Sequence, residues 1–292
     1  MTLRAPIRCS AIAEELDEPL AGTVDHRPRW LLVEDRSAWG ERAVEDVLGV
    51  PFARAAKAAG VQVVLVRRRE APPSADDLRR VMLVDTPERR AAVRVVRDLA
   101  WLTLDLVTAP VDAFGEVSDA PTFLVCTNGK RDACCALRGR ALLAALTEGH
   151  REAVWECTHL GGHRFAANLV CLPDGLVYGR VRPDDGRRLA DACLRGEVDL
   201  EHLRGRSAFP PPAQVAEVEL RRRLALRGVD AVALVACDVS GDRAEVVLAV
   251  GAEEHRLQLR SVALEPPRLV SCRADELEAP MHWRVALPSA DR

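Results

Sequence analysis

The sequence predicts an α/β protein in which one order of strands and helices occurs twice and is followed by a smaller α+β module. Two observations lead to this prediction. Short apolar runs that suit buried strands alternate with stretches of helical spacing between residues 30 and 195. The same succession returns about 92 residues after its first appearance, so we expect the two halves to fold alike.

The first half begins with the buried-strand pattern WLLVE at residues 30–34. The elements predicted after it are a helix at 41–59, a strand that starts at Val61, a hairpin of 81–85 and 92–96 around TPERR, and a helix at 97–106. Gly60 is predicted to end the first helix, because glycine readily takes the left-handed conformation of a helix C-terminus. Residues 71–77, APPSADD, are predicted to be a loop.

The second half repeats this order from TFLVC at residues 122–126. The predicted elements that follow are the loop TNGKRDAC, a helix at 135–148 that ends at Gly149, a strand at 153–157, a hairpin of 165–172 and 176–181, and a helix at 183–195. Strand, helix, strand, hairpin and helix form the core of the thioredoxin fold. We therefore expect two thioredoxin-like domains in tandem, at residues 1–115 and 116–210.

The remaining residues, 211–292, are predicted to form a small α+β module. FPPPAQ at 209–214 has the composition of a linker, and a basic helix is predicted at 215–227. The strand-like runs AVALVAC, AEVVLAV and HRLQLRSVAL follow this helix. The three arginines at 221–223 are typical of a solvated helix face, and a docking surface is the alternative.

Charge and hydropathy argue against several classes of protein. A net charge of −3 does not suit a general nucleic-acid binder. No apolar run approaches the ~18 residues of a membrane span, and the first residues lack the basic region and apolar core of a signal peptide. We therefore expect a cytoplasmic protein that binds neither nucleic acid nor membranes.

The nine cysteines are many for a chain in a reducing compartment, where they indicate metal binding or redox chemistry rather than disulfides. Cys193, Cys237 and Cys272 stand singly in apolar surroundings and are predicted to be buried, inert thiols. Cys126 and the adjacent pair at 134–135 instead form a group with polar residues between them. We consider this group the better candidate for chemistry.

His159 and His163 stand four positions apart with Leu-Gly-Gly between them. Gly161 and Gly162 disfavour a helix here, and no glutamate follows the first histidine, so the HExxH pattern of zinc proteases is excluded. The glycines would instead let the loop wrap closely around a bound group, with both imidazoles turned inward.

The cysteine and histidine loops are predicted to meet. Cys126 ends a predicted strand and Cys135 begins a predicted helix, whose dipole favours the thiolate that binds metals. In a thioredoxin fold this loop and the histidine loop lie at the same end of the sheet, so Cys126, Cys135, His159 and His163 could form one Cys2His2 site. Zinc suits that donor set, although eight residues between the cysteines is wider than in zinc fingers. A [2Fe-2S] cluster is the more specific match, because each of its irons needs two protein ligands and the chain offers two well-separated pairs.

The segments CTNGKRDACC and VWECTHLGGHRFAANLVCLPDGLVYGRV resemble the sucrase/ferredoxin-like family. CSAIAEELDEPLAGT and WLLVEDRSAWG extend the resemblance upstream, so that it covers roughly residues 9–195. It implies a thioredoxin-like ferredoxin domain in which a Cys-x8-Cys pair and a His-x3-His pair bind a [2Fe-2S] cluster. Carried to this chain, Cys126 and Cys135 would bind one iron, and His159 and His163 the other. Cys134 is the alternative to Cys135, and the family spacing favours Cys135.

These observations predict a [2Fe-2S] electron-transfer protein with an unidentified redox protein as its partner. Neutral imidazoles in place of two thiolates make a cluster less negative and raise its reduction potential, as in Rieske centres. The imidazoles could also take up a proton with the electron. A zinc-stabilised binding module without redox activity is the main alternative. A thiol-disulfide oxidoreductase is less favoured, since no Cys-x-x-Cys starts the predicted helix, and no pair of carboxylates placed for glycoside hydrolysis can be argued.

Overall fold

The structure is a computed structural model that describes residues 8–68 and 78–286. It contains a large mixed sheet of ten strands and a second, antiparallel sheet of four strands. The α/β class predicted from the sequence is confirmed, and so is a second, smaller sheet near the C-terminal end. The predicted loop at 71–77 lies outside the described residues.

The ten strands of the large sheet are β1 Arg29–Glu34, β2 Val61–Arg67, β3 Arg79–Asp85, β4 Arg90–Val96, β5 Glu116–Val117, β6 Thr122–Cys126, β7 Val154–Cys157, β8 Leu169–Leu172, β9 Leu176–Tyr178 and β10 Leu203–Arg206. The small sheet consists of β11 Ala233–Ser240, β12 Arg243–Val250, β13 Glu253–Ala263 and β14 Met281–Val285.

The helices are α1 Cys9–Glu15, α2 Ala43–Leu48, α3 Val50–Ala58, α4 Leu104–Thr108, α5 Val111–Phe114, α6 Ala133–His150, α7 Pro183–Leu194 and α8 Pro211–Leu224. None of the helices in the described ranges combines the length and the apolar character that a bilayer crossing needs.

The two halves of the large sheet have the same strand order. Strands β2-β1-β3-β4-β5 of the first half correspond to β7-β6-β8-β9-β10 of the second. In each half the first strand in the chain, β1 or β6, pairs in parallel with one neighbour and antiparallel with the other. The halves join where β2 pairs with β7, so both belong to one continuous sheet. The division into tandem domains at residues 115 and 210 stays a prediction.

Apolar side chains from both halves meet in a shared core. Trp30 and Met82 of the first half belong to the same buried cluster as Leu124 and Trp155 of the second. The indole N–H of Trp30 also donates a hydrogen bond of 2.9 Å to Oγ of Ser207. Burial of large apolar side chains is the main force that holds such layers together, and here it fixes the two halves against each other.

Two predicted helices of the first half differ from those observed. The helix predicted at 41–59 is broken into α2 and α3 at Gly49, whose φ of +82° is incompatible with a right-handed helix. The helix predicted at 97–106 starts only at Leu104, where Oγ1 of Thr103 accepts a hydrogen bond from the N–H of Leu106. An N-cap of this kind satisfies a backbone donor that the helix itself leaves free.

The predicted linker at 209–214 is wrong, because α8 already begins at Pro211. Proline suits the first turn of a helix, where its missing N–H is not needed. Gln214 is fully buried, and its amide donates to the carbonyl oxygens of Val24, Arg206 and Phe209. This segment is therefore part of the packed interior.

The prediction of a solvated arginine face on this helix is wrong for Arg221, which is fully buried. Its Nε lies 2.9 Å from Oε1 of the equally buried Glu217, and Arg206 pairs with the same oxygen at 2.8 Å. Helix α8 also packs its apolar residues against the small sheet. The helix therefore packs between the two sheets.

Candidate metal centre

The loop between β6 and α6 brings Cys135 back over the end of β6. Cys126 is the last residue of β6, Cys135 lies in the first turn of α6, and both are buried. Gly139 permits this approach, because a Cβ at that position would collide with the carbonyl oxygen of Cys126. Asp132 caps the helix, and its Oδ1 accepts a hydrogen bond of 2.9 Å from the N–H of Cys134.

Two glycines turn the histidine loop that follows β7. Gly161 and Gly162 have φ values of +83° and +66°, in the left-handed region that glycine adopts without steric cost. His163 then begins a single 3₁₀ turn, His163–Phe165. The prediction that residues 159–163 do not form an α-helix is therefore confirmed. The turn stacks the rings of His159 and His163 with their centroids 4.2 Å apart.

Arg204 supports the histidine loop from inside the protein. Its Nη1 donates to the carbonyl oxygen of Gly161 at 3.3 Å and to Oδ1 of Asn168 at 2.9 Å. The amide of Asn168 in turn donates to the carbonyl oxygen of Gly162 at 3.0 Å. Burial lowers the pKa of Arg204 to about 9. Sequence analysis did not identify this residue, since no motif distinguishes an isolated arginine.

The sulfur atoms of Cys126 and Cys135 and a ring nitrogen of His159 lie within 4.8 Å of one another. His163 is outside this tight group but is stacked on His159. The structure thus brings three of the four predicted ligands together and places the fourth beside them. A metal centre could be held here by two thiolates and two imidazoles.

The ring nitrogens Nδ1 of His159 and His163 are buried, and neither has a hydrogen-bond partner among the described residues. A buried polar atom without a partner costs about 1–3 kcal/mol. Coordination of a metal would supply the missing partner for an imidazole nitrogen. The donor set and these two unsatisfied atoms both fit a thiolate- and imidazole-bound centre.

The electrostatic environment favours the protonation states in which Cys126 and His163 bind metals. The hydrogen bond from the Cys135 thiol lowers the pKa of Cys126 well below its usual value, although burial opposes this. The same hydrogen bond, together with burial, raises the pKa of Cys135. A bound metal would displace the proton of this thiol. Burial lowers the pKa of His163 to about 4, and the nearby His159 acts in the same direction. His163 is therefore neutral near pH 7, the form in which imidazole binds metals.

The sulfurs and the imidazoles of this group differ in exposure. Both sulfurs are buried, whereas His159 and His163 are partly exposed. His159 lines a cleft of about 330 Å³. Basic and acidic side chains both border this cleft, among them Arg27, Lys57, Arg131, Asp25 and Glu41. The histidine side of the group therefore faces solvent.

Cys134, the alternative ligand to Cys135, belongs to a different group. Its Sγ lies 3.6 Å from that of Cys9 and 3.2 Å from that of Cys272. The prediction that Cys272 is a lone, inert thiol is therefore wrong. Cys272 stands 138 residues from Cys134 in the chain, and no spacing in the sequence relates the two, so only the folded chain reveals their proximity.

Relatives of known sequence match part of this chain. Altered inheritance of mitochondria protein 32 from Meyerozyma guilliermondii is 31% identical over 93 residues, which cover 28% of this chain and 33% of that protein. The protein of the same name from Candida glabrata is 26% identical over 113 residues, which cover 37% of this chain and 34% of that protein. The chain spans about a third of the length of these curated relatives.

A solved structure and a family model also match. The thioredoxin-like [2Fe-2S] ferredoxin from Aquifex aeolicus is 18% identical and covers 32% of this chain and 97% of its own, with a TM-score of 0.29. The model of the sucrase/ferredoxin-like family matches residues 20–205, which include all four residues of the candidate centre. This match covers more than half of the sequence, and the chain therefore belongs to the sucrase/ferredoxin-like family.

Proposed function

We propose that this chain is an electron-transfer protein that carries a [2Fe-2S] cluster. The observation that carries the proposal is the meeting of two buried thiols with two imidazoles whose Nδ1 atoms have no hydrogen-bond partner among the described residues. Membership of a family described as sucrase/ferredoxin-like agrees with it. In this assignment Cys126 and Cys135 bind one iron, and His159 and His163 bind the other.

The cluster, when bound, would supply reversible one-electron transfer. The surrounding residues are arranged for such a centre. Both sulfurs are buried away from water, and the buried guanidinium of Arg204 under the histidine loop provides positive charge to offset the thiolates. The histidines are partly exposed, so a redox partner would approach from their side, next to the cleft that His159 lines.

A zinc-stabilised binding module is the second candidate, because two thiolates and two imidazoles also suit zinc. Ligand atoms around one zinc ion lie within roughly 4 Å of one another, as follows from bonds of about 2.0–2.3 Å and tetrahedral angles. His163 does not join the other three residues even within 4.8 Å. His163 would therefore have to move toward the other three residues for all four to bind one zinc ion.

The imidazole ligands would set the reduction potential of the cluster. Two neutral ligands in place of two thiolates leave the cluster less negative, so its potential should lie above that of an all-cysteine ferredoxin. Coupling of the electron to a proton stays a prediction. Reduction potentials measured between about pH 6 and about pH 10 would test it, since a potential that does not change with pH would exclude such coupling.

The metal content of anaerobically purified protein tests the proposal. We expect a reddish-brown protein with about two irons and about two acid-labile sulfides per chain, and Cys126→Ser should lose both. Colourless protein that holds zinc at these four residues and no iron would instead support the binding module. The test should use the full chain, since the N-terminal half and the C-terminal segments pack against the site.

A further inference from the structure

A second cluster of thiols lies behind the first, on the other side of the start of α6. Consecutive residues of an α-helix point about 100° apart. Cys135 therefore faces Cys126, while Cys134 faces a different direction, toward Cys9 of α1 and Cys272 of the segment between β13 and β14. This second group is separate from the proposed cluster ligands.

The three sulfurs of the second group form a nearly equilateral triangle. The Sγ atoms of Cys134 and Cys272 are 3.2 Å apart, and Cys9 lies 3.6 Å from each of the other two. Thiolates bound to one zinc ion with bonds of about 2.3 Å and tetrahedral angles lie about 3.8 Å apart. A disulfide would bring two sulfurs to about 2.05 Å and leave the third without a partner. The triangle matches one face of a metal tetrahedron.

Asp132 supplies a fourth donor beside this triangle. Its Oδ2 lies 3.9 Å from Sγ of Cys9. The carboxylate is held in place because Oδ2 accepts hydrogen bonds from the N–H of Cys272 at 2.9 Å and from Oγ of Ser271 at 3.1 Å, while Oδ1 caps α6. Metal-binding carboxylates are commonly oriented by hydrogen bonds of this kind.

The environment suits an ion that stays bound. Cys9, Cys134 and Asp132 are about 1% exposed, whereas Cys272 is partly exposed and closes the site from outside. Three soft sulfur donors and one oxygen select zinc over magnesium or calcium, which prefer oxygen. A closed site with four protein ligands is typical of structural rather than catalytic zinc.

We propose that Cys9, Cys134, Cys272 and Asp132 bind one structural zinc ion. Two of these ligands, Cys9 and Cys272, lie outside the residues that match the family model. The ion would tie α1 and the segment before β14 to the start of α6, the helix that also carries Cys135. Buried Glu18 links the same parts of the chain, since it pairs with Arg268 at 3.0 Å. Zinc would thus lie beside the helix start that carries one ligand of the neighbouring cluster site.

Elemental analysis of the full-length protein, purified without air and with iron and zinc both supplied, tests this proposal. We expect about one zinc per chain in addition to iron. Cys272→Ser should remove the zinc and leave the iron content unchanged. Cys135→Ser should remove the iron and leave the zinc content unchanged. Cys237→Ser is the matched control, because this thiol of β11 lies outside both groups, and it should change neither metal.

The outcomes separate this proposal from the proposed function. Zinc at one equivalent without iron would contradict the cluster and support the zinc site, provided that Cys272→Ser removes the zinc and Cys135→Ser does not. Protein with iron but no zinc would overturn the zinc site alone. Zinc that survives Cys272→Ser, or a disulfide among the three cysteines in anaerobic protein, would also overturn it.

A measurement on the unaltered chain covers the case in which Cys272→Ser does not fold. Zinc is removed and replaced with Co²⁺, which takes the same ligands and is coloured. We expect an intense near-ultraviolet band from thiolate bound to cobalt, which one equivalent of Zn²⁺ abolishes while the iron content stays constant. Absence of that band in cobalt-treated protein would overturn the proposal.

Discussion

The imidazole rings of His159 and His163 are stacked, with their centroids 4.2 Å apart and their planes inclined by only 17°. Two glycines with positive φ make this possible, because they turn the chain sharply between the two rings. The stack presents two imidazole rings on the same edge of a group whose sulfur atoms are buried.

Replacing the histidines with cysteine should lower the reduction potential without abolishing the cluster. In His159→Cys and His163→Cys a thiolate adds one negative charge to the ligand set, which stabilises the oxidised form. The double variant should shift by an amount on the order of 100 mV or more, given the spread between Rieske and plant-type centres. Protein-film voltammetry measures the shift. His26→Cys, at an exposed position, is the control, and an equal shift there would contradict the ligand assignment.

The two glycines of the loop should respond differently to alanine. Both have positive φ, so each substitution carries a backbone cost of about 1 kcal/mol. At Gly161 the new Cβ would meet open space, whereas at Gly162 it would collide with the guanidinium of Arg204. We therefore expect Gly162→Ala to lose more stability and more iron than Gly161→Ala, as measured by urea denaturation and iron analysis. If the two variants have the same stability and the same iron content, the close approach of Gly162 to Arg204 is not needed.

Removal of the buried guanidinium should release the histidine loop. Arg204→Met leaves the carbonyl oxygen of Gly161 and Oδ1 of Asn168 without their donor, which should cost about 2–3 kcal/mol of unfolding free energy. Iron occupancy should fall with it. Arg195→Met is the control, since its pair with Glu197 is exposed and worth about 1 kcal/mol or less. Comparable losses in the two variants would count against a special role for Arg204.

Stability should fall in mild acid because of His282. Burial lowers the pKa of this imidazole to about 4, Arg284 acts in the same direction, and Glu18 opposes it. The unfolded chain, with a histidine pKa near 6.5, binds more protons than the folded chain between these values. The free energy of unfolding should therefore decrease as pH falls from about 6.5 to about 4.

Urea denaturation over this pH range measures the effect. His282→Gln should reduce the fall in the free energy of unfolding over this pH range by roughly 2 kcal/mol at most, since the side chain keeps some access to solvent. His26→Gln, at an exposed position, should leave the curve unchanged. If the pH dependence of the free energy of unfolding persists in full in His282→Gln, other titratable groups cause it.

Local sequence patterns predicted the strands and the approach of the cysteine loop to the histidine loop. Short apolar runs and helical spacing predict the alternation of β6, α6 and β7. The paired cysteines and the paired histidines stand in or next to the two loops of this unit, so their spacing is visible in the sequence. The glycines between the histidines have a local meaning that does not depend on the rest of the fold. For these reasons the proximity of Cys126, Cys135 and His159 could be predicted from the sequence.

Features that depend on contacts between distant segments could not be predicted. Arg204 acts through the loop near Gly162, and Cys9 and Cys272 approach each other although 263 residues separate them. The composition around Pro211 predicts a linker, yet Pro211 begins a helix because residues such as Gln214 are buried between the two sheets. In each case tertiary packing decides the role of a residue whose neighbours in the sequence carry no information about it.

The ligation of the cluster by both histidines is the central claim, and nitrogen couplings in the reduced protein test it most directly. Electron–nuclear double resonance of the dithionite-reduced chain, with and without ¹⁵N-labelled histidine, detects nitrogen atoms bound to iron. We expect two strongly coupled histidine nitrogens, of which one is lost in His159→Cys and the other in His163→Cys. A reduced cluster without strongly coupled histidine nitrogen would contradict the account.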